Sequence, residues 1–225
     1  MPWLRLKITP DLEEVKSRVR ARKGDEVKGL TETLLEEAKG LIRPKVVYEF
    51  YNIKGVKKDR IVFEGDWALE WEAQSPCFSF EGVRKVALLA GTIGPYLEKR
   101  VEELFRESTP LKALLLDEIG SAALEVLLDE AWEFIDSIVR EESFKAGTPM
   151  SPGMPGLPIE AQREIVARIP VWKIGLSLTQ GGILVPRKSF TALIGIGENL
   201  IKANKREMCK ICKLHDQCPY RKDEL

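Results

Sequence analysis

The chain has 225 residues, 44% of them hydrophobic, enough to bury a core without disulfide staples and to make one large domain or two small ones. Lys and Arg number 35 and Asp and Glu number 35, so no net field would hold a polyanion through counterion release, and nucleic acid is not an expected partner. The opening "MPWLRLKITPDLEEVKSR" meets proline and acids too early for a secretory leader, and no window has the roughly 18 uninterrupted apolar residues of a membrane helix. A cytoplasmic protein without a membrane partner is expected, and the terminal "KDEL" reads as a chance charged end.

After Pro10, "DLEEVKSRVRARKGDEVKGLTETLLEEAKGLIR" alternates acids, bases and aliphatics at helical spacing and predicts a helical N-terminal part over 1–44. Asp11 is placed to cap it, Gly24-Asp25 to divide it into two helices, and Pro44 to stop it. "KVVYEFYNI" and "DRIVFEG" alternate β-branched and aromatic residues around a "KGVKKD" turn, the pattern of a hairpin with one buried face. "VRKVALLAGTIG" is a near-continuous apolar run ending in glycines, as a central strand would be.

Two helices follow, "PYLEKRVEELFRES" and "LKALLLDEIGSAALEVLLDEAWEFIDSIVREE". The second is apolar on more than one face and so belongs at the core, with Gly120 and Ser121 small enough to let another backbone come close. "FKAGTPMSPGMPGLP" is crowded with turn formers and reads as a structured loop or hinge. A short helix, "IEAQREIVARI", precedes short strands in "WKIGLSLTQGGILVPRKSFTALIGIG", broken at "QGG" and at Pro186. Helices and hairpins without regular βαβ alternation predict an α+β fold over 1–200, followed by a Cys-rich tail at 201–225.

The tail places Cys209, Cys212, His215 and Cys218 at every third position. In a reducing compartment clustered thiols read as metal ligands before they read as disulfides. Thiolates with one imidazole suit zinc, and three thiolates with a fourth ligand elsewhere suit an iron–sulfur cluster. The compact spacing lacks zinc's usual pair of separated ligand pairs, and Cys218-Pro219 is similar to the ending of some cluster-binding runs, so both metals stay open beside an inert basic tail. Cys77 is either a lone buried thiol or that fourth ligand. With His215 the only histidine, no Ser-His-Asp or Cys-His pair can form elsewhere, and the chain has no Walker phosphate loop. Hydrolysis and ATP-driven activation are therefore poor readings.

Four blocks in order, "ALLAGTIGP", "LLLDEIGSAALEVLLDEA", "MSPGMPGLPIEAQ" and "IGLSLTQGGILVPRKSFTALIGIG", resemble the activation domain of cobalamin-dependent methionine synthase and its stand-alone relatives in anaerobes. The resemblance implies a twisted antiparallel sheet with helices, a site for S-adenosylmethionine, and docking on a corrinoid protein or cobalamin-dependent methyltransferase whose cobalt has been oxidised. It implies an accessory role in reductive activation or methyl transfer, in which corrinoid and sulfonium carry the chemistry while the protein binds and orients.

The family's ligand loop reads Arg, any, Ala or Ser, Pro, Gly, Tyr. Ser151, Pro152 and Gly153 match it; Pro149 stands in place of the arginine and Met154 in place of the tyrosine. Proline has neither charge nor donor for a ligand carboxylate, and methionine keeps only polarisable apolar surface. Arg187 or Lys188 is the substitute cation if the site is kept, with Gly153 and Gly156 giving backbone access. Asp117, Glu118 and Glu125 then face the sulfonium, or else form a solvated acidic stripe. The alternative is a metal-binding electron-transfer or scaffold protein that has lost S-adenosylmethionine binding, with the tail doing the work.

Overall fold

A computed structural model describes residues 25–71, 80–198, 200, 209–210 and 215–217. Helix α1 (Asp25–Leu41) lies in the predicted helical part; residues 1–24, with Asp11 and Gly24, lie outside the described residues. Its buried side carries Leu34, Leu35 and Ala38, one face at helical spacing. The Ile42 amide still reaches the Ala38 carbonyl, after which Pro44, lacking an N–H, ends the run.

Strands β1 (Lys45–Val56) and β2 (Arg60–Phe63) form the predicted hairpin, closed where the Lys57 amide donates to the Arg60 carbonyl at 2.8 Å. Strand β3 (Trp67–Glu70) extends it, entering through a turn in which Asp66 takes a φ of 57°. Ile61, Phe63 and Leu69 are fully buried on one face of this ribbon. In β4 (Val83–Thr92) every residue from Val86 onward is buried, the signature of a strand covered on both faces.

After β4 come α2 (Tyr96–Arg106), α3 (Pro110–Arg140), β5 (Lys145–Ala146), α4 (Ala161–Arg168), a 3₁₀ turn (Val171–Ile174), β6 (Ser177–Leu178), β7 (Leu184–Val185) and β8 (Ser189–Gly197). Six strands make one curled antiparallel sheet in the order β3-β2-β1-β4-β8-β5, and β6 pairs with β7 in a separate ladder. The fold is α+β, as predicted. No described helix is long and apolar enough to cross a membrane.

Two compact units divide these elements. The first gathers the described residues up to Tyr48, Ala90–Glu133 and Ile169–Phe190. Leu97, Val101 and Leu104 of α2 and Leu116, Ile119 and Leu127 of α3 are buried there, each such side chain giving about 1.5–3 kcal/mol relative to exposure. Gly120 has a packing reason: a Cβ at that position would lie 2.6 Å from Leu97 Cδ2. The close neighbour is therefore a side chain of α2, not the second backbone expected from the sequence. Arg100 ties α2 to α1, donating from Nε to Glu37 at 2.7 Å, and donates from Nη1 to Glu107 at the end of its own helix at 2.8 Å. These acids hold the guanidinium in its charged form.

The second unit gathers Glu49–Leu89, Phe134–Arg168 and the described residues from Thr191 onward. Phe63 and Trp67 stack at 3.9 Å, with Tyr51 edge-on to Trp67 at 5.0 Å. Lys85, with a side chain 13% exposed, is held by both oxygens of Glu142 and lies 5.1 Å from the Phe50 ring centre.

Candidate functional site

The Pro-Gly segment belongs to the second unit and is anchored before it turns. β5 pairs Lys145 with Gly197 and Ala146 with Ile196, and the Gly147 amide donates to the Gly195 carbonyl at 2.8 Å. Met150 and Leu193 exchange two backbone hydrogen bonds of 2.8 Å each. Asp136 of α3, 2% exposed, accepts the Ala146 N–H at 2.9 Å through one carboxylate oxygen and the Arg140 guanidinium through the other.

At the exit Leu157 is buried, and α4 buries Ala161 and Ile165. The end of α4 is fastened by aromatic residues: the Tyr51 hydroxyl donates to the Arg168 carbonyl at 2.6 Å, and the Arg168 guanidinium lies 4.7 Å from the Trp67 ring centre. Burial pushes the Tyr51 phenol above its ordinary range, Glu49 pushes the same way, and Arg168 opposes them. The segment is a connector fixed at both ends.

Ser151, Pro152, Gly153 and Met154 come together in one tight turn. The Met154 amide donates to the Ser151 carbonyl at 3.0 Å, the Gly153 amide to the Leu157 carbonyl at 2.9 Å, and the Leu157 amide to the Met154 carbonyl at 3.0 Å. Gly153 and Gly156 have φ of 91° and 100°, a region that a side chain makes costly. Their first duty is therefore conformational. The Ser151 amide donates to the Met154 thioether sulfur at 3.3 Å. Pro152 and Pro155 have no N–H, so these bonds engage four of the five N–H groups between Ser151 and Leu157, and the backbone access expected of the loop is narrowed accordingly.

The other predicted ligand residues lie in the first unit. Glu125 is an exposed residue of α3. Arg187, between β7 and β8, gives its backbone N–H to Glu98 at 2.8 Å and its guanidinium to Glu102 at 3.0 Å, both on α2. Lys188 places Nζ 2.8 Å from Asp117 and 2.7 Å from the Ser121 hydroxyl. Both candidate cations thus already carry acidic partners, and Asp117 already faces a cation. Sequence reasoning missed these pairings because they join residues far apart in the chain. It missed the Met154 sulfur contact because that depends on one rotamer.

In the tail, Cys209 lies in a helical turn and is partly exposed, and His215 Nδ1 is 3.0 Å from Asp216 Oδ1. Cys212, Cys218 and Cys77 lie outside the described residues. Among the described residues no three His, Cys, Asp or Glu side chains are grouped to hold a metal.

No family model matches the chain, and no curated protein does. Among solved structures, the fold is similar to a crystal structure of the MetH reactivation domain bound to AdoHcy. That likeness covers 82% of this chain and 71% of the other, with a TM-score of 0.57 and 12% sequence identity. At such identity the likeness is one of fold.

Proposed function

We propose that this chain is an accessory protein of corrinoid-dependent methyl transfer. It binds an S-adenosyl ligand at the Ser151–Met154 turn and docks on a corrinoid protein or cobalamin-dependent methyltransferase. One observation carries the reading: the solved domain of the same fold was crystallised with AdoHcy, and the segment resembling that family's ligand loop here forms a fixed turn beside β8. The bound ligand would supply the sulfonium methyl group and the partner the cobalt. The part left to this chain is to bind and orient.

Ser151, Gly153 and Met154 are the residues proposed to touch the ligand, with Pro152 shaping the turn. The turn itself offers a ligand carboxylate no cation, because Pro149 stands where the resembling loop has arginine. Weak binding follows. Restoring a cation to the loop should strengthen it: in calorimetric titrations with S-adenosylmethionine and S-adenosylhomocysteine, Pro149→Arg is expected to bind roughly tenfold more tightly than the wild type through one charged hydrogen bond. Absence of binding by both proteins would remove the ligand from the reading.

The tail supports a second element of function, a metal held by Cys209, Cys212, His215 and Cys218, either zinc or an iron–sulfur cluster. A histidine that ligates a metal commonly gives its other nitrogen to a carboxylate, and His215 has Asp216 against Nδ1. Purified without oxygen, a brown protein with visible absorption supports the cluster, and a colourless one containing stoichiometric zinc supports a structural clamp. Protein free of both metals would overturn this element and leave the corrinoid reading standing.

A further inference from the structure

From the hydrogen bonds of the turn we infer that Met154 is a removable plug, its thioether occupying the Ser151 N–H in place of a ligand's acceptor atom. The bonds from Gly153 to Leu157, from Leu157 to Met154 and from Met154 to Ser151 join backbone to backbone, so none can be released without undoing the turn. The Ser151 amide is different, because a side chain holds it, at 3.3 Å. Met154 is only partly buried and turns about three single bonds, so it can swing away while the backbone stays in place.

A thioether is a weak acceptor. An oxygen or a ring nitrogen presented by a ligand makes the stronger bond to the same N–H, so exchange favours a ligand carrying such an atom. The donor set of the turn is then the Gly156 amide, which these bonds do not engage, with the Ser151 amide opened by displacement of Met154, and Met154 sets the threshold that a ligand must pass. This gives a role to the side chain standing where the resembling family has tyrosine. Its consequence for S-adenosyl ligands rests on the function proposed above, whereas the plug itself does not.

Two substitutions of opposite sense test it in the full-length, isotope-labelled chain. Met154→Leu keeps the volume and removes the acceptor; Met154→Gln supplies a better one. Hydrogen exchange at the Ser151 amide is expected to be roughly three- to tenfold faster in Met154→Leu than in the wild type, and slower in Met154→Gln. Affinity for S-adenosylhomocysteine should rise about two- to fivefold in Met154→Leu and fall in Met154→Gln. A merely structural role would shift both variants the same way. Unchanged Ser151 exchange in both variants, or affinities that move together, overturns the plug. If exchange follows the expected order while no protein binds S-adenosylhomocysteine, the plug stands and the S-adenosyl reading of the site falls.

Discussion

Single residues explain the fixed exit of the loop. Tyr51 donates to the Arg168 carbonyl while burial and the Glu49 carboxylate disfavour its phenolate, so its folded-state pKa is raised. A raised value means that the protonated phenol is favoured in the folded protein. Its contribution is complete below the unfolded tyrosine value of about 10 and is lost as pH rises through the folded value. Ultraviolet titration should show a tyrosine component ionising above that range, and Tyr51→Phe should reduce it by one tyrosine; an undiminished late component in the variant would mean that Tyr51 is wrongly assigned. Asp136 anchors the other end. Asp136→Ala should cost about 2–3 kcal/mol in denaturant unfolding by leaving the Ala146 N–H unpaired, and a change within a few tenths would contradict the anchor.

Secondary-structure elements differ in how plainly the sequence announces them, for physical reasons. α1 and the β1-β2 hairpin were legible because helical spacing, Pro44 and the "KGVKKD" turn are local signals that act within a few residues. β3 and β5 were not: one has four residues and the other two, too short for a periodic pattern, and each exists because a neighbouring strand pairs with it. The Pro-Gly loop was legible from composition, whereas the engagement of Arg187 by Glu98 spans 89 positions and no local pattern carries it. Close approach sets a further limit at the end of β8. A Cβ on Gly197 would lie 2.1 Å from the Gly82 carbonyl oxygen, and backbone cannot turn aside as a side chain can. Gly197→Ala should lower stability by roughly 1–3 kcal/mol, with loss of protection at the Lys145 and Ala146 amides beside it. A variant as stable as the wild type would mean that the strands are not so tightly joined.

For the molecule as a whole, a fold likeness at 12% identity leaves the architecture similar and the ligand chemistry to be tested. Much of the sheet is built from buried aliphatic runs that many sequences satisfy, so a similar fold does not by itself fix the residues at a site. The specific part is the turn from Ser151 to Leu157, whose amides are largely committed to one another. The most direct measurement is an amide-resolved nuclear magnetic resonance titration of the full chain with S-adenosylhomocysteine. The expected result is saturable shifts centred on the amides of Ser151 and Gly156, with those of β1 and β2 unmoved. Saturation that leaves Ser151 and Gly156 in place, or no saturable shift at any amide, would contradict a ligand site at this turn.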